Sequence, residues 1–184
     1  MTGGPMVSSS PTIREREDAD MARITEIYGH HVLNGASSWE LTPPDVTEMT
    51  KRAHALRDGG YPYLVADIDG RVVGYSYAGA YRPRPAYRFT VEHSVYVDDA
   101  VRRGGIGHAL LKAMIDTCEQ RGYRQMIGII GDSQNLQSIR FHEKLGFEHV
   151  GCVKNIGFKF DRWMDQILMQ RPLGDGAKTL PEPD

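Results

Sequence analysis

The chain has 184 residues, of which 40% are hydrophobic and 25% charged, and its formal net charge is −2. These values are ordinary for a single soluble globular domain with a sizeable core, and they give no general basic surface for nucleic acid. No apolar run approaches the roughly 18 residues that cross a bilayer. Two cysteines without metal or redox spacing, and an N-terminus without a hydrophobic signal core, predict a cytoplasmic protein.

The two ends of the chain differ in composition from its middle. Residues 1–12 are rich in Gly, Ser and Pro, which predicts a flexible leader. Residues 174–184 have the same character and predict a flexible tail. The folded domain is therefore expected over residues 13–173.

Capping residues, glycines and hydrophobic periodicity predict the elements of the first half. In chain order they are a strand at 12–14, a helix that Asp18 or Asp20 begins, a polar loop at 34–39, a helix that starts at 43–45 and ends at Gly59-Gly60, a strand at 61–67, a hairpin turn at Asp69-Gly70, a strand at 72–80, a loop at 81–88 and a strand at 89–97. The second half is predicted to contain a helix to about residue 121, a strand at 125–130, a helix at 135–145 and a closing hairpin at 147–153 and 163–170. This order predicts a mixed α/β sheet flanked by helices on both faces.

A basic, glycine-rich turn follows the strand at 89–97 and opens directly into a helix. Backbone N–H groups at a helix N-terminus bind anions, and glycine lets the backbone approach them closely. The turn therefore predicts a pyrophosphate site. Its residues are Arg102, Arg103, Gly104, Gly105, Ile106, Gly107 and His108.

Two nucleotide-binding interpretations of this turn do not fit its residues. A nucleotide P-loop requires Gly-Lys-Ser/Thr, which Ile106-Gly107-His108 lacks, and a dinucleotide fingerprint requires a third glycine, where this chain has Leu110. The glycines alone do not distinguish a pyrophosphate site from a glycine-rich turn that binds no ligand and has solvated arginines.

The wider sequence carries a family resemblance. Arg102-x-x-Gly105-x-Gly107 resembles the acyl-CoA pyrophosphate motif of the GNAT N-acetyltransferase superfamily, and Asn135-x-x-Ser138 resembles its second cofactor segment. Segments 36–40, 90–97, 138–147 and 157–165 resemble the phosphinothricin/methionine sulfoximine acetyltransferases.

Most of residues 13–173 take part in this resemblance. It implies a mixed, mostly antiparallel twisted sheet, acetyl-CoA as donor without a metal, the α-amine of a small amino acid as acceptor, and a homodimer.

Glu92 is the candidate general base. It occupies the position of the family's catalytic glutamate in Thr-Val-Glu, on a strand face shared with Thr90, Ser94 and Tyr96. Burial beside a thioester would raise its pKa toward the working pH. The alternative is a glutamate solvated on a strand surface.

His142 is the second candidate catalytic residue. Helical spacing places Asn135, Ser138 and His142 on one face of the last helix. Many superfamily members have a tyrosine at the His142 position, whereas the narrower family has histidine. An acid role and a simple hydrogen bond to the cofactor both stay open.

The resemblance also assigns binding roles. The backbone of Val95, Tyr96 and Val97 is expected to pair with the amide-rich pantetheine arm, and Asn135 and Ser138 to contact the cofactor.

Two segments are expected to bind the acceptor. The first is the loop at 81–88, which precedes Glu92. Arginine guanidinium groups match the geometry of carboxylates and phosphinates, so we expect this loop to bind the acceptor through Arg82, Arg84 and Arg88. Trp39 and Glu40 are expected to wall the acceptor pocket, with Trp39 where the family shows Phe.

Two other functions remain open. One is a GNAT acetyltransferase for another amine, such as an ordinary amino acid, a polyamine or a protein N-terminus. The other is a catalytically silent acyl-CoA-binding module. The adjacent His30-His31 has no partner at metal spacing and is predicted to be a helix-face pair.

Overall fold

The computed structural model describes residues 10–101 and 104–181. Arg102, Arg103 and most of the predicted leader lie outside the described residues. The strands are β1 (Thr12–Glu15), β2 (Tyr63–Ile68), β3 (Arg71–Ala80), β4 (Thr90–Val97), β5 (Gln125–Gly131), β6 (Glu148–Lys159) and β7 (Arg162–Pro172). The α-helices are α1 (Met21–Asn34), α2 (Val46–Asp58), α3 (Ile106–Gln120) and α4 (Leu136–Lys144). This order confirms the predicted succession of elements.

All seven strands form one sheet in the order β1-β2-β3-β4-β5-β7-β6. β4 and β5 pair in parallel, and every other neighbouring pair in the sheet is antiparallel. The parallel pair is connected through α3, as a parallel connection requires a crossover. The sheet is therefore mixed and mostly antiparallel, as predicted.

Each face of the sheet carries its own hydrophobic cluster. α1 and α2 cover one face with Met21, Ile24, Ile27, Val32, Met49 and Ala53, packed on Tyr63, Val65, Tyr75 and Tyr96. α3 covers the other face with Ile106, Leu110, Leu111, Met114, Ile115 and Cys118, packed on residues that include Leu64, Ala66, Ala78 and Val91. Helices on both faces are thus confirmed.

The helix starts follow the capping chemistry in part. Asp45 begins α2 as predicted, because its side chain accepts a hydrogen bond from the Glu48 N–H at 2.8 Å. Asp20 does not cap α1 with its side chain. It accepts instead from the Glu17 N–H at 2.7 Å and from Arg14, in a short 3-10 turn that precedes the helix. The helix thus begins after Asp20 as predicted, but the predicted side-chain cap is absent.

The closing hairpin is longer than the sequence predicts. β6 runs to Lys159 and β7 starts at Arg162, and their register shifts twice, once between Val153 and Gly157. Asn155 has a positive φ of 52° within that irregularity. Such a bulge breaks the alternation of side chains, and the alternating pattern therefore predicts strands that end early.

The segment after β7 packs against the domain. Arg124 donates hydrogen bonds to Thr179 Oγ1 at 2.8 Å and to the Leu180 carbonyl at 2.9 Å. Residues 182–184 lie outside the described part. The division into leader, domain and tail stays a prediction. Among the helices of the described ranges, none combines the length and hydropathy needed to cross a bilayer.

Candidate active site

The sheet opens between its two parallel strands. Among the described residues, the β4–β5 ladder covers 90–93 and 125–128, whereas the β4–β3 ladder continues to Val97. Beyond this ladder lies a cavity of about 60 Å³, lined by Ser37, His93, Ser94, Val95, Tyr96, Ile129, Ile130, Gly131, Asn135, Ser138 and His142. We call this opening the β4–β5 cleft.

A larger groove of about 470 Å³ shares Ser37, Val95, Asn135 and Ser138 with the cleft. Of the residues expected to bind a cofactor, this groove brings together Val95, Val97, Gly105, Ile106, Gly107, His108, Asn135 and Ser138. Gly104 is exposed and does not line it. Tyr96 borders the cleft, while its ring packs on Tyr28 and Tyr75 on the α1/α2 face.

The N-terminus of α3 faces this groove. Gly105 holds the helix start in the left-handed region, with φ 76°, which glycine adopts without strain. No side chain among the described residues caps this helix start. Within the described part of the chain, the first N–H groups of α3 therefore meet no side-chain acceptor, and they suit an anion. Arg102 and Arg103, expected to add charge here, lie outside the described residues.

The C-terminal end of α1 forms the opposite wall of the groove. His30 Nε2 lies 2.7 Å from Asp99 Oδ2, and His31 Nε2 donates to the Val97 carbonyl at 2.9 Å. Sequence reasoning placed these histidines on a helix face and did not connect them with the groove. No local signal shows that α1 ends beside β4, since that contact joins residues 66 positions apart.

α4 holds His142 in a defined orientation toward the cleft. His142 Nδ1 lies 2.7 Å from the Ser138 carbonyl oxygen, one turn earlier in the helix. A carbonyl oxygen only accepts, so Nδ1 carries the proton in this contact. Burial lowers the pKa of His142, although the bond to Ser138 acts in the opposite direction. Near neutral pH the ring is therefore uncharged, and its Nε2 offers a lone pair rather than a proton.

A second imidazole lies against His142. The ring centroids of His93 and His142 are 5.1 Å apart. Burial lowers the pKa of His93 well below its usual range, and neither of its ring nitrogens has a hydrogen-bond partner among the described residues. Gly128 makes room for the pair, because a Cβ there would lie 3.1 Å from both rings.

Glu92 projects from the opposite face of β4. It pairs with Gly79, and its neighbours on that face are the pairs Ser94–Tyr77 and Tyr96–Tyr75. Desolvation by burial raises the pKa of Glu92, and the Arg82 guanidinium acts in the opposite direction. A half-buried carboxylate with a raised pKa suits a general base.

The three loop arginines differ in their surroundings. All are exposed; the Arg82 guanidinium lies 4.6 Å from the Tyr81 ring centroid and that of Arg88 lies 4.5 Å from Phe89. Arg84 precedes a short 3-10 turn. Arg82 is the one whose charge acts on Glu92.

The α1–α2 loop reaches across to the closing hairpin. The Trp39 indole packs against Gly131 and Gly157, where a Cβ on Gly157 would lie 2.5 Å from the ring. Glu40 accepts from Tyr28 Oη at 2.9 Å and from Arg52 at 2.5 Å. The two residues therefore point to different neighbours, Trp39 to the strands beside the cleft and Glu40 to α1 and α2.

Lys159 fixes this loop, and sequence reasoning missed it. Its Nζ donates to the carbonyls of Val32, Gly35 and Ser38 at 2.7, 3.0 and 2.7 Å. The side chain is buried, and desolvation lowers its pKa while Glu40 acts in the opposite direction. An ammonium at the last carbonyls of α1 also complements the helix dipole.

Within the described ranges, no group of three or more His, Cys, Asp or Glu side chains forms a metal site. Cys118 is buried in the α3 cluster and Cys152 is exposed on β6. The absence of a metal cofactor stays a prediction.

Comparison with known proteins decides the family. Residues 13–168 match the family model described as an acetyltransferase (GNAT) domain. The chain belongs to the GNAT acetyltransferase family. It is 50% identical to a phosphinothricin N-acetyltransferase of Alcaligenes faecalis over 171 residues, which cover 93% of this chain and 87% of the relative.

Two further comparisons agree with this family. The chain is 41% identical to an L-methionine sulfoximine/L-methionine sulfone acetyltransferase of Salmonella typhimurium, covering 90% of this chain and 96% of the relative. It superimposes with a TM-score of 0.91 on a phosphinothricin acetyltransferase from Sinorhizobium meliloti in complex with acetyl-CoA, at 47% identity and coverage of 95% and 94%. The predicted fold and the prediction of an N-acetyltransferase are thereby confirmed.

Proposed function

We propose that this GNAT enzyme transfers the acetyl group of acetyl-CoA to the α-amine of a small amino acid analogue of the phosphinothricin, methionine sulfoximine or methionine sulfone type. The observation that carries the proposal is the position of Glu92. It is a half-buried carboxylate with a raised pKa on the strand that borders the β4–β5 cleft. The names of the relatives support this class of acceptor.

The groove fits the donor by its chemistry. The uncapped N–H groups of Gly105, Ile106, Gly107 and His108 would hold the pyrophosphate, with Arg102 and Arg103 adding charge. The backbone of Val95, Tyr96 and Val97, on the side of β4 released by β5, would pair with the amides of the pantetheine arm. Asn135 and Ser138 border both cavities and would contact the same arm.

Glu92 would supply the base. An acceptor arrives as an ammonium, and its nitrogen has no lone pair until Glu92 takes one proton. The nitrogen then attacks the thioester carbon, the C–N bond forms, and the C–S bond breaks. The second proton of the attacking nitrogen neutralises the departing thiolate, so the products are the amide and the free thiol of CoA.

His142 fits a binding role better than an acid role. Its Nδ1 proton is committed to Ser138, and its lowered pKa leaves Nε2 without a proton near pH 7. We infer that Nε2 accepts a hydrogen bond from the bound donor or from a water in the cleft.

The acceptor would bind on the Glu92 side of the sheet. The charge of Arg82 acts on Glu92, and the Arg82 guanidinium would pair with the carboxylate of the acceptor. Arg84 and Arg88 are candidates for a second anionic contact, and Trp39 and Glu40 would border the site through the α1–α2 loop.

A homodimer is part of the proposal. Large apolar side chains are exposed along the closing hairpin, with Phe158 at 55% and Trp163 at 62% exposure. Exposed aromatic patches of this kind mark interaction surfaces. We further propose that the partner is a small-molecule acceptor and neither nucleic acid nor a membrane. The proposed location is the cytoplasm.

The test is a thiol-release assay with acetyl-CoA and a panel of amines: phosphinothricin, methionine sulfoximine, methionine sulfone and spermine. We expect turnover with the amino acid analogues and a loss of most of it in Glu92→Gln, with acetyl-CoA binding retained in calorimetry. Turnover of spermine alone would support another amine acceptor, and binding without any turnover would support the silent module.

A further inference from the structure

The loop between β5 and α4 is held by residues of the closing hairpin to which the proposed function gives no role. The Asp132 N–H donates to the Asp165 carbonyl at 2.8 Å, which extends the pairing of β5 with β7 past Gly131. Ser133 Oγ donates to Asp165 Oδ2 at 2.8 Å. Asp165 thus bonds two consecutive residues of the loop, one through its backbone and the other through its side chain.

The Asp165 carboxylate also joins this loop to the irregularity in β6. Its Oδ1 accepts from the Asn155 N–H at 2.9 Å, at the point where the register of the hairpin shifts. The bonds from the Asn155 N–H and the Ser133 hydroxyl lower the pKa of Asp165. The carboxylate is therefore ionised near neutral pH, and it offers one acceptor oxygen to each segment.

Asp132 forms the bend of the loop. Its φ of 75° lies in the left-handed region, where aspartate is found more often than most other residues. Its Oδ1 accepts from the Gln134 N–H at 3.0 Å, and its Oδ2 accepts from the Arg162 guanidinium. The Asp132 carbonyl accepts from the Asn135 N–H at 3.0 Å. The bend that leads to Asn135 is therefore held by bonds within the loop and by bonds from β7.

Asn135 is the residue through which this loop meets the groove proposed for the donor. Its Oδ1 accepts from the Ser138 N–H at 3.2 Å and so begins α4. Because the oxygen serves the helix start, Nδ2 is the part of the amide that is left to donate to a carbonyl of the pantetheine arm. Asn135 lines both the groove and the β4–β5 cleft. A shift of the loop would move this amide relative to both cavities.

We propose that Asp165 is a positioning residue for acetyl-CoA, which acts through the β5–α4 loop on Asn135. Asp165 is not among the described residues that line the groove or the cleft, so its effect on the donor passes through the loop. The inference rests on the proposed function, because it requires Asn135 to bind the donor. The acceptor would bind on the Glu92 side of β4, so loss of Asp165 should affect the donor more than the amine.

The first experiment measures Kd for acetyl-CoA by calorimetry, and KM for acetyl-CoA and for the best acceptor of the amine panel, in Asp165→Ala. We expect Kd and KM for acetyl-CoA to rise about two- to tenfold, the value of one hydrogen bond, with a smaller change in KM for the amine. Asp165→Asn should fall between Asp165→Ala and wild type, because its amide oxygen can accept from Asn155 while its Nδ2 donates to Ser133. Glu148→Ala removes an exposed carboxylate from the same hairpin and is the matched control, with Kd at the wild-type value.

Two further variants separate an effect on the loop from an effect on the hairpin. Ser133→Ala removes the bond on the loop side and keeps the one from Asn155, so it should also raise Kd for acetyl-CoA. It keeps the test decisive if Asp165→Ala does not fold. Asn135→Ser retains a side chain that can begin α4 but removes the amide that would reach the donor. Adding Asp165→Ala to Asn135→Ser should raise Kd further by less than about twofold, because residues that act through one contact are not additive.

Three results are distinguishable. A wild-type Kd in folded Asp165→Ala and Ser133→Ala, or full addition of the two effects in the double variant, would overturn the inference and leave the proposed function intact. If both KM values rose together and asparagine gave no recovery, Asp165 would support the fold and not the donor. A wild-type protein that bound no acetyl-CoA would overturn the proposed function and the inference with it.

Discussion

Glu92, the proposed general base, is a half-buried carboxylate whose charged form lowers the stability of the fold. Burial raises its pKa, so the folded protein binds the proton more tightly than the unfolded chain does. Its contribution to stability is therefore greatest below the ordinary glutamate pKa of about 4.3 and is lost as the pH rises through the raised folded value. As the proposed general base, Glu92 is deprotonated at the working pH, where this contribution to stability is absent.

The first prediction follows from that sign. Glu92→Gln should raise Tm relative to wild type near pH 7.5 and should raise it less, or lower it, near pH 4.5. Calorimetric melting of both proteins at the two pH values measures this difference. A Tm difference that does not depend on pH would mean that Glu92 has the same pKa in the folded and unfolded states.

The second prediction concerns the proton on His142. Because Nδ1 donates to Ser138 and the ring is neutral, removing the imidazole should not remove an acid. His142→Gln should keep the alkaline side of the kcat/KM pH profile and raise KM for acetyl-CoA about two- to tenfold, the value of one hydrogen bond. Loss of the alkaline limb in the variant, with wild type retaining it, would restore the acid role.

At the scale of elements, the closing hairpin acts as a support for the α1–α2 loop. Gly157 accommodates the Trp39 ring, and Lys159 bonds three carbonyls at the end of α1 and in the loop. The loop in turn meets β4, since Tyr96 Oη donates to the Ser37 carbonyl at 3.3 Å. The position of the loop at the cleft therefore depends on a strand far away in sequence.

The third prediction tests this support. Lys159→Met leaves three carbonyls without their donor, so we expect a lower Tm and a larger rise in KM for the amine than in KM for acetyl-CoA. A displaced loop could cost kcat/KM about tenfold or more. Lys159→Arg should recover part of the amine KM, because a cation is restored.

Lys154→Met is the matched control, an exposed lysine on the same strand. Equal rises of both KM values in Lys159→Met, with no recovery by arginine, would reduce Lys159 to a structural role.

Sequence patterns predicted the elements better than the contacts between them. The Asp45 cap and the Asp69-Gly70 turn each depend on about four neighbouring residues, and the sequence predicts both. In the turn, φ is 52° at Asp69 and 80° at Gly70. Lys159 bonds a carbonyl 127 residues earlier, and no local pattern records that contact. The sequence also predicts too short a hairpin, because the register shift interrupts the alternation of side chains that identifies a strand.

The candidate site divides in the same way. Gly105, Gly107, Asn135 and Ser138 belong to short motifs whose chemistry is local, and all line the groove. His30 and His31 reach that groove through the packing of α1 on β4, so their position depends on the tertiary fold.

At the scale of the whole molecule, the closing hairpin exposes large apolar side chains that no other part of the described chain covers. Phe158 and Trp163 contact each other with ring centroids 5.3 Å apart and remain exposed beside Ile156 and Phe160. A second copy of the chain is the proposed cover.

The fourth prediction is that Trp163→Glu shifts the protein from dimer to monomer in sedimentation equilibrium, because a carboxylate would be desolvated in the contact. Thr47→Glu, an exposed change on α2, should leave the mass unchanged. A wild-type protein that sediments as a monomer would show that the apolar face has another use.

The two faces of β4 also bear on the order in which substrates bind and products leave. Val95 and Val97 line the groove proposed for the donor, while Glu92 projects from the other face of β4, the face that carries Ser94 and Tyr96. Donor and acceptor can then occupy the protein together without competing for the same space. The kinetic consequence is a ternary complex: double-reciprocal plots of initial rate should intersect, and high concentrations of one substrate should not inhibit competitively against the other. Parallel lines would indicate that the acetyl group is first transferred to a side chain of the protein.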